Sequence, residues 1–429
     1  MACESLGDVA EIIMGQSPPG ETCNTEGIGL PLLNGPTEYG PHHPLPVQFT
    51  TSARKRARPG DILFCVRGST TGRMNWADRE YAIGRGVAAI RHKRHPELQP
   101  FVRAVIDYEL PGLLAQATGS TFPNVVADQL ASVPWPALPL GEQHAIAHIL
   151  GTLDDKIELN RRMNETLETM ARALFKSWFV DFLPVRAKME GRWRKGESLP
   201  GLPAHLYDLF PDRLADSELD GIPEGWGVKP FADTVEIIGG GTPKTSVAEY
   251  WNGDIPWFSV VDAPSQTDVW VVDTEKKITQ EAVENSSTRV LPIGTTIISA
   301  RGTVGRVALV GVPTAMNQSC YALCGKTGGR GLFTYCGTRD LVARLQQHAH
   351  GSVFDTITRQ TLASVSVVVP PPALVHAFES LVGPCFERIR ARLLESRTLG
   401  ALRDTLLPKL ISGELRVKDA EKFVASWPL

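Results

Sequence analysis

The 429-residue chain is written twice. LGDVAEIIMGQSPPG at Leu6–Gly20 returns as FADTVEIIGGGTPKT at Phe231–Thr245, an offset of 225. GDILFCVRGSTTGRM at Gly60–Met74 answers GTTIISARGTVGRV at Gly294–Val307, at an offset of 234. GSTFPNVVADQLASVPWPALP at Gly119–Pro139 answers GSVFDTITRQTLASVSVVVPP at Gly351–Pro371, at 232. Collinear blocks whose offsets drift by a few residues exclude coincidence, and internal repetition governs the fold more strongly than any local pattern. The length alone would suit two to four domains. The repetition narrows it to one module of a little over 200 residues, made twice. Each copy contains strands, because Ile62–Val66 and Thr296–Ala300 are short apolar runs ending at glycine turns. Between the matching blocks the copies differ almost everywhere: PLLNGPTEYGPHHP faces IPWFSVVDAPSQTD. A common frame carrying two unlike surfaces suggests one architecture that reads two different things.

After Pro139 the pattern turns helical. Ile146, Ile149 and Leu150 make a short amphipathic piece expected to stop at Gly151. A longer helix is expected to begin there, with Thr152 as N-cap and Asp154 and Asp155 in its first turn. Leu153, Ile157, Asn160, Asn164, Leu167, Ala171, Leu174 and Trp178 then recur at spacings of 3 and 4, the period of a coiled-coil seam. The second copy predicts the same break at Gly383, with Pro384 in a first turn. Cys385, Ile389 and Leu393 begin its stripe, and Leu399, Leu402, Leu406 and Leu410 continue it. Helices of about 30 residues would span roughly 45 Å. Two separate surface helices would satisfy the pattern, but each leaves its own copy in the same way, so pairing is the better reading. Twofold pseudo-symmetry makes such a pair antiparallel, with Asn160 and Asn164 setting register.

The expected fold class is therefore α+β. Two domains of mixed α/β structure are separated by an antiparallel coiled coil of two long helices, with a pseudo-twofold internal repeat. The expected divisions are a first domain at 1–140, a helical region at 141–182 and a connector at 183–222. A second domain at 223–371, a helical region at 372–415 and a tail at 416–429 complete the chain. The connector is rich in Pro, Gly and charge and lacks sustained periodicity; it is expected to run back along the helices.

Charge gives a partner. Overall the chain is nearly neutral, 44 Lys and Arg against 47 Asp and Glu. The average hides a window holding Arg54, Lys55, Arg56, Arg58, Arg67, Arg73, Arg79, Arg85, Arg91, Lys93 and Arg94, opposed only by Asp61, Asp78 and Glu80. Such a cluster is the electrostatic footprint of phosphate binding, although a solvated basic face has the same composition. The second copy is less basic, with Arg289, Arg301, Arg306, Lys326 and Arg330 spread more widely. The turn R-G-S/T-x-(x)-G-R occurs in both copies. Arg67, Ser69 and Arg73 match Arg301, Thr303 and Arg306, and the glycines let backbone N–H groups approach a phosphate. Asn34, Asn317 and Gln318 are amides of the kind that read adenine. Ser17, Thr242 and Lys244, from the repeated glycine-rich segments, complete the candidate DNA-binding set.

Catalytic and metal chemistry find little support. Gly325-Lys326-Thr327 lacks the glycine that a P-loop needs six residues before its lysine, where Cys320 stands. GGGTPKT is better read as a β-turn, since its counterpart GQSPPG has no lysine. No Asp/Asn-Pro-Pro-Tyr/Phe run is present for an amino-methyltransferase, and no nuclease pattern of acidic residues and lysine stands out. The seven cysteines, Cys3, Cys23, Cys65, Cys320, Cys324, Cys336 and Cys385, have no framework spacing, so reduced thiols are expected. Cys320 and Cys324 have no second pair with which to hold zinc. His144 and His148 lack the intervening glutamate of a metalloprotease helix. No metal ligands, secretory leader or membrane span are expected, so the expected location is the cytoplasm.

These features together resemble the specificity (S) subunit of type I restriction–modification enzymes over nearly the whole chain. The carriers are GIPEGW at Gly221–Trp226, DFLPVRAKMEG at Asp181–Gly191, LDDKIELNRRMNETLE at Leu153–Glu168 and LRDTLLPKLISGELRV at Leu402–Val417. ARGTVG at Ala300–Gly305 and IPW at Ile255–Trp257 add to them. The resemblance implies two target-recognition domains, each reading half of an asymmetric, bipartite double-stranded DNA target. It implies that the paired helices set the spacer and dock two methyltransferase (M) subunits, with restriction/translocase (R) subunits joining for cleavage. S-adenosylmethionine, ATP and Mg2+ would sit on those partners and no cofactor on this chain; the M subunits would modify adenine N6. One departure is that the first copy lacks the IPxGW opening. The competing readings are an enzyme in its own right, a coiled-coil adaptor, and a methylation-only DNA-binding subunit without a restriction role.

Overall fold

A computed structural model describes residues 4–117, 123–219, 221–264, 268–326, 331–348 and 356–425. Cys3, Arg330 and parts of the third repeated block (119–122 and 351–355) lie outside them. The chain divides into two units, Met1–Glu158 with Ser396–Leu429, and Leu159–Glu395.

In the first unit the order is α1 (Leu6–Val9), β1 (Ala10–Met14), β2 (Cys23–Asn24), β3 (Leu30–Leu33), β4 (Gln48–Thr50), β5 (Arg56–Ala57), β6 (Ile62–Cys65), β7 (Met74–Trp76), β8 (Tyr81–Ile83) and β9 (Val87–His92). Then come α2 (Gln99–Ala115), α3 (Ala127–Ala131) and the start of α4 (Leu140–Phe179). One sheet has the order β1-β9-β6-β7, antiparallel throughout; the other has the order β2-β4-β3-β8-β5, with β3 and β8 parallel. The apolar run of β6 is buried at all four positions, which is why it lies inside a sheet with both faces covered. Phe101, Val102, Val105 and Ile106 of α2 are fully buried in the same core as Ile62, Phe64 and Ile90.

The second unit takes the rest of α4, then α5 (Leu183–Met189), β10 (Leu214–Ala215), β11 (Ile222–Pro223), β12 (Gly227–Pro230), α6 (Phe231–Thr234), β13 (Val235–Gly239), β14 (Trp251–Phe258), β15 (Trp270–Val271) and β16 (Lys277–Ile278). There follow α7 (Gln280–Glu284), β17 (Thr296–Ser299), β18 (Val307–Val310), β19 (Ala315–Met316), β20 (Cys320–Gly325), α8 (Leu332–His348), α9 (Arg359–Ala363), β21 (Ser366–Val369) and α10 (Pro372–Ile411). The end of α10 and α11 (Val417–Ala425) belong to the first unit. The sheet β13-β20-β17-β18-β15 repeats the first unit's order and adds β15 in parallel at its edge. Register repeats too: Ile62 opposite Ile90 becomes Thr296 opposite Leu323. The parallel pair β3–β8 reappears as β14–β19.

The repetition reaches further than residue identity. Helices α2 and α8 have 17 residues each, although QPFVRAVIDYELPGLLA and LFTYCGTRDLVARLQQH have little in common. Helices α4 and α10 have 40 residues each. These two correct the expected breaks: Gly151, and Gly383 with Pro384, lie inside continuous helices. An interior glycine costs about 1 kcal/mol and an interior proline about 3. Ile146, Ala147 and Leu150 beside Gly151, and Val382 and Phe386 beside Pro384, are buried and offset that. A Cβ on Gly151 would stand 3.3 Å from Pro100, so the glycine also admits a close neighbour.

Antiparallel pairing of α4 with α10 is visible separately within each unit. In the first, Asp154 Oδ1 accepts from Arg403 Nη1 at 2.6 Å and Glu142 lies 3.5 Å from Arg416. Leu402, Leu406 and Leu410 are buried there, Leu153 packs against them, and Ile157 and Leu399 are half-buried. In the second, Asn160 Nδ2 donates to Glu395 at 2.8 Å and Asn164 Nδ2 to the Ile389 carbonyl at 3.4 Å. Trp178 and Ile389 are fully buried, with Leu167, Leu174 and Leu393 packed against them. In the second unit Asn160 and Asn164 are buried at the seam positions their spacing assigned, and Glu168, outside that stripe, is buried as well. Cys385 is displaced to the flank of its stripe, and Phe386 takes the core position.

The connector is a folded part of the second unit. Val185, Trp193, Leu206 and Phe210 enter the core that holds Trp178 and Trp226. Lys188 Nζ lies 3.8 Å from the Tyr207 ring centre and donates to the Phe210 carbonyl. Its apolar residues are too irregularly spaced to register as a helix or strand period.

Candidate nucleic-acid interface

In each unit three loops meet at one end of the repeated sheet. The chain leaves β1 through Gly15, Gln16 and Ser17, and the Gly15 and Gln16 N–H groups donate to the carbonyls of Val87 and Ile83. The turn Gly84-Arg85-Gly86 joins β8 to β9, and the Arg85 N–H donates to Ser17 Oγ at 3.4 Å. A Cβ on Gly15 would overlap the Gly84 carbonyl, so glycine is what lets the two loops touch. The turn after β6 starts beside them, because the Val66 N–H donates to the Gly86 carbonyl at 3.0 Å. Lys55 joins the group through its carbonyl, which accepts from the Ile83 N–H at 3.0 Å.

The second unit rebuilds this with different side chains. Gly240 and Gly241 donate to Cys320 and Met316, and a Cβ on Gly240 would overlap the Asn317 carbonyl. Thr242 Oγ1 donates to Gln318 Oε1, the equivalent of the contact between Ser17 and Arg85. The Ala300 N–H donates to Ser319 at 2.8 Å and so sets Arg301 beside this turn. Because their N–H groups are satisfied within the protein, Gly240 and Gly241 form a turn and not a phosphate cradle. Lys244 is exposed on the same loop.

The arginine-glycine turns have a common construction. Gly68 and Gly72 have φ of 95° and 92°, and Gly302 and Gly305 have φ of 76° and 83°. The second glycine of each donates inward, Gly72 to Cys65 and Gly305 to Ser299, so it does not supply a phosphate donor. Ser69 and Thr303 are exposed at the tips. Arg67 is exposed and bonds Asn124 through Nε at 3.1 Å; Arg301 and Arg306 are exposed.

The basic window sorts into two classes. Arg91 is bidentate on buried Asp61, at 2.9 and 2.6 Å, and lies 3.6 Å from Glu11. Arg73 donates to the Tyr39 carbonyl, Arg56 pairs with Glu80, and Lys93 donates to the Gly7 and Asp8 carbonyls. Arg79 lies over Tyr81, whose phenol donates to Asp78 and is pushed up to about 12 by burial. Arg54, Lys55, Arg58, Arg85 and Arg94 are exposed with no side-chain partner among the described residues. The charge available to an anion is thus narrower than the count suggested, and part of it lies beside Ser17 and Asn34. Asn34 Nδ2 donates to Gln48, while Asn317 Oδ1 accepts from Ser319 within its own turn.

Sequence reasoning missed a cavity of about 460 Å³ behind the Arg301–Arg306 turn, lined by Arg172, Thr303, Arg306, Arg339 and Gln346. Its arginines come from three distant segments, and no local motif joins them. Glu168, pushed up by burial against the pull of Arg339 and Arg172, lies 3.8 Å from the first and 3.7 Å from the second. The Cys320 thiol is pushed up to about 12 by burial and Cys324 is raised for the same reason, so both favour the protonated, inert form. Among the described residues no helix is long and apolar enough to cross a membrane.

The model of the type I restriction modification DNA specificity domain matches residues 3–169 and again 223–373. The HindI type I restriction enzyme specificity subunit of Haemophilus influenzae is 27% identical over 406 residues, covering 85% of this chain and 88% of that protein. The MjaIX specificity subunit of Methanocaldococcus jannaschii is 28% identical over 305 residues, 70% of this chain and 65% of that one. A solved S subunit of a type I restriction-modification system from M. genitalium superposes with a TM-score of 0.54 over 95% of both chains. At 18% identity that likeness concerns the fold alone.

Proposed function

Because the chain belongs to the family of type I restriction–modification DNA specificity subunits, a family of DNA-sequence recognition, we propose that its two recognition domains read different halves of one asymmetric bipartite target. The observation that carries this reading is the repeated frame with unlike inserts. The same three loops recur at the same sheet end, as Ser17 with Arg85 in one unit and Thr242 with Gln318 in the other. Base edges are read by side chains and phosphates by charge. Arg54, Lys55, Arg67 and Arg85 in the first unit, and Lys244, Arg301 and Arg306 in the second, provide the phosphate contacts. Ser17, Asn34, Ser69, Thr242, Thr303, Asn317 and Gln318 are the groups at base edges. Arg56 and Arg73 hold local structure and support the interface from behind.

On this reading the paired helices α4 and α10 set the spacer and dock two M subunits, which bind S-adenosylmethionine and flip the target adenine out of the duplex for N6 modification. The chain itself performs no chemistry. R subunits, with ATP and Mg2+, add restriction, in the cytoplasm of a prokaryote. The test is methylome sequencing of a host carrying the gene with its partners. A split N6-methyladenine motif that disappears when this gene is deleted supports the proposal. An unchanged methylome refutes it.

A further inference from the structure

We propose that His95, Glu97 and His144 form a binding site for a transition-metal dication of the Zn2+ class. All three belong to the first unit. His95 and Glu97 lie on the tight turn before α2, and His144 lies in the first turns of α4. One ligand atom from each falls within 4.8 Å of the others. Glu97 Oε1 is central, 3.1 Å from His95 Nδ1 and 3.8 Å from His144 Nε2. The imidazole rings stand edge to face with centres 6.0 Å apart.

Two imidazoles and one carboxylate are a donor set that suits zinc, with a fourth position left for water. Bonds of about 2.0–2.1 Å put tetrahedral ligand atoms roughly 3.3 Å apart, so closure needs rotations of an ångström or so by side chains that are all at least partly exposed. The backbone beneath is firm. His92 Nδ1 accepts from the Arg94 and His95 N–H groups. The buried Gln99 side chain ties the turn to Gly60, Ile90 and His92. A bound ion would clip the turn entering α2 to the start of α4. None of the three residues belongs to the DNA-reading set, so the site stands apart from the recognition reading.

The experiment uses the full chain, free of any purification tag, titrated with Co2+ by visible absorption and with Zn2+ by calorimetry. The expected result is one saturable site per chain with a tetrahedral Co2+ band. His95→Ala and His144→Ala should each weaken it by roughly tenfold or more, with unchanged circular dichroism. No saturable binding would overturn the proposal and leave a hydrogen-bonded triad only. Affinity unchanged in the double variant His95→Ala/His144→Ala would overturn it equally.

Discussion

Arg85 and Arg91 stand six residues apart in one basic window and have opposite fates. Arg91 lies in β9 with its guanidinium closed on Asp61, whose side chain is only 3% exposed, whereas Arg85 projects from a turn into solvent. Removing one member of a buried pair strands the other charge, at about 3–5 kcal/mol. Asp61→Ala should therefore lower the first unit's stability by about 3 kcal/mol or more, measured by urea unfolding. The exposed arginines answer to a different measurement. Removing one phosphate-binding cation lowers the slope of log K against log salt by about 0.9. Arg67→Ala, Arg85→Ala and Arg301→Ala should each weaken DNA binding and flatten that slope by about one. Equal affinity at several salt concentrations would make these arginines structural.

At the scale of the element, helix α4 buries Glu168, a carboxyl that the seam spacing does not include. Burial raises its pKa despite Arg339 and Arg172. A carboxyl that holds its proton more tightly folded than unfolded destabilises the fold as pH rises from the ordinary carboxylate range through its raised value. The loss persists at neutral pH. Glu168→Gln should flatten that part of the stability profile and leave the variant more stable at pH 7, read from urea midpoints between about pH 4 and pH 8. A second test concerns length. Four residues inserted in α4 beside Asn164 should change the spacer or abolish methylation while the half-site sequences persist. Altered half-sites on an unchanged spacer would contradict a spacer set by the paired helices.

The elements also explain what was legible in advance. The strands and glycine turns repeat as sequence because backbone constraints at Gly15, Gly68, Gly72 and their counterparts admit few alternatives. Helices α2 and α8 do not, because an amphipathic helix is met by many sequences, and theirs share little. Gly151 and Pro384 read as helix ends because local propensity disfavours them, and tertiary packing overrides it. The connector's large apolar residues find partners only from other segments, as does the arginine-lined cavity behind the Arg301 turn. Which basic residues are free to meet an anion depends on partners as remote as Glu11 and Asp61, so composition alone overcounts them.

For the whole molecule, near neutrality does not speak against DNA. The exposed charge is local, and the two matched stretches, 3–169 and 223–373, account for most of the chain. On the proposed function the two copies read separate half-sites independently. The most direct measurement is the methylome directed by a chimera in which residues 1–140 are replaced by the corresponding domain of a relative with a different target. The account predicts a new sequence in one half-site, with the other half and the spacer unchanged. A methylome in which both halves change, or the spacer changes while the halves persist, would contradict it.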